Sequence, residues 1–323
     1  MGLSTVETFK RMKLDGAVEL DAAALRRLQL TLAGMVRDFA VFCETEGIPY
    51  FLGGGTSLGA LRHGGFIPWD DDADVCISRN DFDRFVAGFS AACGDRYFLH
   101  TPQGTPGLGL ALARIRLKGT SVRTREDVTS DNLRIATEEC GAFVDVFIVD
   151  DVPDGRLARL AHGTVSLLLG FLYSCSRFYH DRRTLSVWSE GNPALRRAFR
   201  LKATVGFFTS WMGQDGWTRL WDRWNGLCRG GRTRDVAIPV GKRHYFGEIA
   251  RREDYFGTRT VSFEGFRVRC PERLEEYLTR LYGPDYMTPQ DPGDRERHVF
   301  FRPFSLSASP GGEKSDGQRP DLL

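Results

Sequence analysis

GGGTSLGALRHGGFIPWDDDADV, residues 53–75, decides how this chain is read. A glycine turn with a hydroxyl residue opens the stretch, and a helix-length interval follows. A hydrophobic approach then leads into Asp70, Asp71, Asp72 and Asp74. Carboxylates this close repel one another unless a cation sits among them, so the run points to a divalent metal. Glycines ahead of a helix free backbone N–H groups to face an anion, typically a phosphate. A phosphate cradle one helix before a metal-binding acid cluster is the equipment of phosphoryl or nucleotidyl transfer.

Spacing inside the cluster carries the argument further. If residues 69–78 form a strand, Asp70, Asp72 and Asp74 share one face, ~7 Å apart along it. Asp71, Ala73, Val75 and Ile77 then lie on the other. The three aspartates would converge on one or two Mg²⁺ (or Mn²⁺) ions. A solvated acidic turn is the plain rival, opposed by Ile67, Pro68 and Trp69 before the run and by the apolar residues after it. A calcium loop would use Asp70, Asp72, Asp74 and Asp81, but Val75 stands where such a loop needs glycine.

Further candidates surround this centre. Gly54, Gly55 and Thr56 are the phosphate side, and the missing G-K-[ST] ending sets the turn apart from a P-loop. Arg62 and His63 close the intervening helix, where they either neutralise phosphate or answer the helix dipole. Asp145 interrupts an apolar strand between Val144 and Val146, a costly place for a charge without a partner. It reads as a further metal ligand or as the group that orients and deprotonates an acceptor hydroxyl. A bond to loop backbone is the alternative. Arg114 and Arg116 share a strand face, either to grip a diphosphate or as exposed edge-strand arginines. Asp150 and Asp151 read as turn residues, His298 as a surface histidine, and Tyr282, Tyr286 and Met287 as packing.

The stretch FLGGGTSLGALRHGGFIPWDDDADVCISRNDFDRF, residues 51–85, resembles the LicD family of phosphotransferases, whose relatives include the fukutin-type proteins. VDVFIVDDVP at 144–153 and RLYGPDYMTPQDPGDRERH at 280–298 are similar to the same family, so the resemblance runs over roughly residues 20–300. It implies a nucleotidyltransferase-like fold and transfer of a phospho-alcohol such as phosphocholine from a CDP-alcohol donor. The acceptor would be a glycan or glycolipid, and CMP would leave. On that reading Asp72, Asp74 and Asp145 are catalytic, and together with Asp70 they hold the metal. A nucleotidyltransferase releasing pyrophosphate would use the same residues. A non-catalytic binding module would be marked by loss of a carboxylate or of the glycine turn, and neither is lost.

Composition sets the outer bounds. The 323 residues carry 44 Lys and Arg against 42 Asp and Glu, a net charge of +2, which excludes nucleic-acid binding through a strong overall field. Seven scattered cysteines include no C-x-x-C pair, arguing against a zinc ribbon or disulfide framework. The first residues lack an apolar signal core, and the longest apolar run, 165–173, is too short for a membrane span, so a cytoplasmic protein is expected. Element patterning gives an α/β (α+β) class: a nucleotidyltransferase-like mixed sheet with flanking helices and a helical insertion. The expected layout is a catalytic core over 1–153, a helical lobe over 154–235, the C-terminal part of the domain over 236–304, and a disordered tail over 305–323. Within it, helices are expected over 21–46, 56–63 (capped at Gly55 or Thr56), from a cap at Asn80 or Asp81 through Ser90, and over 272–281. Strands are expected over 48–52, 69–78, 110–117 and 143–149.

Overall fold

The structure, a computed structural model, describes residues 17–18, 20–124, 127, 135–182, 185, 193–231, 233–257, 259–291, 295, 298 and 300–306. The expected tail beyond 306 and the N-terminal residues 1–16 lie outside the described residues. Ser305, placed in that tail, instead closes the strand Phe300–Ser305.

Helix α1 (Ala22–Thr45) starts where Asp21 caps it, its Oδ1 accepting the N–H of Ala24 at 2.7 Å. Its Leu28, Leu32, Val36 and Phe39 follow the helical period and are all buried. Strand β1 (Tyr50–Leu52) runs into helix α2 (Gly54–His63), which Gly53 precedes as N-cap, earlier than the expected Gly55 or Thr56. Gly64 ends α2 in the left-handed region at φ 66°.

Strand β2 is shorter than the pattern suggests, covering only Asp74–Ser78. Ahead of it the chain turns, with the N–H of Asp70 bonded to the carbonyl of Ile67. Gln29 of α1 donates through Nε2 to the carbonyls of Ile67 and Asp70 and ties this approach down. The strand alternation expected for Asp70, Asp71 and Asp72 therefore does not apply. Helix α3 (Arg79–Cys93) follows without a loop and is capped by Ser78, not by Asn80 or Asp81.

The remaining strands are β3 (Tyr97–His100), β4 (Ala113–Leu117), β5 (Phe143–Asp151), β6 (Asp235–Ala237) and β7 (Ala250–Arg251). They complete a seven-stranded sheet of order β1-β2-β5-β4-β3, with β6 joining β5 to β7. β2 and β5 run parallel and the other pairs antiparallel, so the sheet is mixed and the class is α/β. Both faces are covered. Tyr50 meets Phe39 of α1 edge-on at 5.3 Å, while the next residue, Phe51, faces Tyr255 at 5.2 Å and Tyr277 at 6.1 Å. Each such ring contributes roughly 2–3 kcal/mol through burial.

Helices α4 (Arg156–His180), α5 (Pro193–Thr209) and α6 (Gly213–Asn225) follow β5, and α7 (Leu274–Tyr282) comes later. Asp150 and Asp151 are not turn residues. They end β5 and are buried, because Arg79 grips Asp150 through two bonds and reaches Asp222 of α6 at 2.7 Å. Arg252 and Asn80 hold Asp151. Two smaller sheets flank the main one. The first joins Ala17–Val18, Phe300–Ser305 and Ser121–Thr124, and the second is the hairpin Arg259–Phe263 with Phe266–Cys270. All seven cysteines are free, five of them buried. Among the described residues no helix is long and apolar enough to cross a membrane.

Candidate active site

The start of α2 is stitched to the start of β2. The N–H of Gly53 donates to the carbonyl of Asp74 at 2.8 Å, and the N–H of Asp74 donates to Thr56 Oγ1 at 2.9 Å. Gly54 N–H donates to the hydroxyl of Tyr277 at 2.9 Å. The Thr56 hydroxyl and the Gly53 amide thus position the aspartate strand, while the Gly54 amide ties the start of α2 to α7. The glycines are there for close approach. A Cβ on Gly54, whose φ is +39°, would lie 3.0 Å from Asp74 Oδ2, and one on Gly55 would lie 3.0 Å from Asp70 Oδ2. The carboxylates of Asp70 and Asp74 therefore rest against the first turn of α2, at the positive end of its dipole. The hydroxyl of Tyr282 closes the same corner, 3.6 and 3.9 Å from those two Cβ positions.

Negative charge accumulates here. Burial pushes the Asp70 carboxyl well above its ordinary range, and the charges of Asp72, Asp71 and Asp74 push it the same way. Its Oδ2 is buried with no hydrogen-bond partner among the described residues. An orphaned buried carboxylate oxygen is expensive, and a hard divalent cation is its natural complement.

Asp71 is buried as well, and its partner is His298. That residue donates its backbone N–H to Asp71 Oδ2 at 2.9 Å, and its Nδ1 lies 2.9 Å from Asp71 Oδ1 and 3.6 Å from Asp72 Oδ2. The expectation of a surface histidine is corrected: the ring is stacked on Phe300 and edge-on to Phe143. Burial raises the Asp71 carboxyl, and His298 opposes that rise. One ligand atom each from Asp71, Asp72 and His298 falls within a 4.8 Å span, so these three could hold a cation too.

Asp145 stands in register with Asp74 across the parallel β2–β5 pair and with Arg114 across β4. Registered neighbours on adjacent strands put side chains on one face, ~5 Å apart. Arg114 clasps Asp145 through Nε at 2.6 Å and Nη2 at 2.9 Å, with its guanidinium 3.9 Å above the Phe143 ring. Arg116 pairs with Asp127 at 2.8 Å. β4 is an interior strand and both arginines are buried, so neither is an exposed edge residue. Arg62 and His63 sit at the other end of α2 from the glycines. Arg62 donates to the carbonyl of Tyr286 at 3.0 Å and to His63 Nε2 at 3.0 Å. Its guanidinium still feels the charge of Asp70. Burial and the neighbouring Arg62 both lower the His63 pKa.

The sequence reading missed His298 and Tyr277. The signal for His298 was its place at the end of the 280–298 segment, but nothing local marks a contact 227 residues away.

An α/β sheet that sets an acidic cluster beneath a glycine-started helix is the arrangement of nucleotidyltransferase-type domains. Residues 47–104 match the family model described as LicD/FKTN/FKRP, nucleotidyltransferase domain. This segment of the chain is similar to the nucleotidyltransferase domain of that family. Over 131 residues the chain is 35% identical to the lipopolysaccharide cholinephosphotransferase LicD of Haemophilus influenzae, covering 40% of this chain and 46% of that one. Human ribitol 5-phosphate transferase FKRP is 53% identical over 38 residues, 12% of this chain and 8% of that one. An uncharacterised protein of Rickettsia prowazekii is 40% identical over 52 residues, 16% of this chain and 20% of that one. The chain thus spans less than half the length of these curated relatives.

Proposed function

We propose that this chain is a metal-dependent phosphotransferase that moves a phospho-alcohol of the phosphocholine type from a CDP-activated donor to a glycan hydroxyl, releasing CMP. The observation that carries the reading is the buried Oδ2 of Asp70, without a hydrogen-bond partner among the described residues, beside Asp72 and lying with Asp74 against the first turn of α2. The relatives' printed activities, cholinephosphotransferase and ribitol 5-phosphate transferase, support the phospho-alcohol class.

In this reading Asp70, Asp72 and Asp74, with Asp145 beside Asp74, hold Mg²⁺ or Mn²⁺, which supplies charge neutralisation at the donor diphosphate. Gly54 and Gly55 let the carboxylates of Asp74 and Asp70 lie against the positive end of α2, where the metal they would hold could meet the donor phosphates. Asp145, held in place by Arg114, serves either as that metal ligand or as the group that orients the acceptor hydroxyl and takes its proton. Arg62, whose Nε–H His63 accepts, stands as a cation toward the donor, and Arg116 supports the strand carrying Arg114.

Incubating the purified chain with CDP-choline, CDP-ribitol or CDP-glycerol, Mg²⁺ and a glycan acceptor tests this by the nucleotide released. CMP is expected. Pyrophosphate from a nucleoside triphosphate, with every CDP-alcohol inert, would assign the chain to nucleotidyl transfer instead.

A further inference from the structure

Away from the acid cluster, α4 and α5 show an outward surface unlike the rest of the molecule. Their inner sides pack together: a Cβ on Gly206 of α5 would come within 2.1 Å of the Cys175 carbonyl of α4, so the two backbones are in close contact. Phe178 and Phe199 are buried between them, their rings 5.2 Å apart. A surface helix that buries one apolar stripe ordinarily presents polar residues on the other side. These two do not. On α4, Leu157, Leu160, Leu168 and Phe171 recur at helical spacing and stand exposed, Leu157 at 83%. On α5, Leu201 and Phe208 lie two turns apart, and Phe208 at 72% is followed by Trp211 at 75% just past the helix.

The charge carried by the two helices themselves has one sign. Neither helix contains Asp or Glu, while Arg156, Arg197 and Arg200 stand exposed on them. Outward leucines, an aromatic pair of Phe and Trp, and arginines without acids are the composition of a helix face lying in a lipid interface. Apolar side chains enter the acyl boundary, Trp sits at headgroup level, and arginines meet lipid phosphates. Among the described residues no helix is long and apolar enough to cross a membrane.

We infer that the outward face of α4 and α5 docks on an anionic phospholipid bilayer. The inference stands on this surface and goes beyond the transfer reaction proposed above. A bilayer-docked enzyme would meet an acceptor anchored in lipid without first extracting it.

Flotation of the full chain with vesicles tests it. Binding is expected to phosphatidylcholine vesicles containing phosphatidylglycerol, to weaken with rising salt, and to be slight on phosphatidylcholine alone. The double variant Phe208→Asp, Trp211→Asp should bind at least about tenfold more weakly. Arg197→Gln and Arg200→Gln should each cost about fivefold and flatten the salt dependence. Because these side chains are exposed, melting temperatures should match the parent. CMP release with a water-soluble acceptor should be unchanged in all three variants, which separates this test from that of the transfer reaction. Three results would each overturn the inference: no binding to the phosphatidylglycerol vesicles, undiminished binding by the double variant, or a lipid-free dimer abolished by the same substitutions while vesicles are ignored. The last would assign the face to a second copy of the chain.

Discussion

Asp70→Asn separates metal binding from folding more cleanly than any other substitution. It keeps the shape of the side chain and removes the charge that burial and three neighbouring aspartates disfavour. In the metal-free protein the variant should be as stable as the parent, or more stable by about 1 kcal/mol as like-charge repulsion is relieved. The reverse holds with metal present. A ligand that binds only the folded state at a hundredfold its Kd stabilises by about 2.7 kcal/mol. At roughly 2–3 °C per kcal/mol for a chain of this size, Mg²⁺ should raise the parent melting temperature by about 5–8 °C. Asp70→Asn should lose most of that shift, and CMP release should fall at least about a hundredfold. Differential scanning fluorimetry with and without Mg²⁺, beside a CMP assay, reads both. A variant with the full parental shift and near-normal turnover would remove Asp70 from the metal site and with it the meaning given to its orphaned oxygen.

Four further outcomes follow from single residues. Gly54→Ala should destabilise by at least about 1 kcal/mol and depress turnover, since its φ of +39° and the 3.0 Å approach to Asp74 Oδ2 leave no room for a methyl group; urea titration checks it. Thr56→Val should cost about 1–3 kcal/mol by orphaning the Asp74 N–H, seen as a lower urea midpoint with an unchanged slope. His298→Ala should cost about as much by stripping Nδ1 from buried Asp71, and activity should fall with it; normal turnover would make that pair purely structural. Glu248, chiefly through burial, is raised from 4.5 to about 7. The folded state therefore holds a proton that the unfolded state gives up, so stability falls as pH rises from about 4.5 to about 7, by up to about 3 kcal/mol, and Glu248→Gln should flatten that slope in a pH series of melts.

Much of the frame was legible because its signals are local. Asp21 and the Leu28–Leu32–Val36–Phe39 spacing fixed α1 to within a residue at either end. The apolar run around Asp145 located β5, though not its last two residues, because Asp150 and Asp151 look like turn chemistry until Arg79 and Arg252 are seen beside them. The acid run misled in one respect. Aspartates at alternate positions imitate a strand, but Gln29 from a helix some forty residues earlier holds that segment in a turn. The partners of Arg114 and Arg116 could not be read either, since strand order decides whether an arginine faces solvent or a carboxylate, and that order is a long-range property. What the sequence did yield at the site was its inventory of aspartates and glycines; which oxygen touches which glycine belongs to the fold.

The bond between Asp71 and His298 has a bearing on how the protein is made. Asp71 leaves the ribosome among the first quarter of the 323 residues, but its partner follows only after 227 more. Until then the nascent chain carries a group of carboxylates with no histidine to answer one of them. A strand from the same late segment, Phe300–Ser305, pairs with Ser121–Thr124 and so fastens the end of the domain to its first half. Synthesis broken off before residue 298 would leave an open acidic pocket beside an unpaired strand edge, a form that proteases and chaperones can tell from the finished molecule. The histidine thus works as a latch that only translation past residue 298 can close.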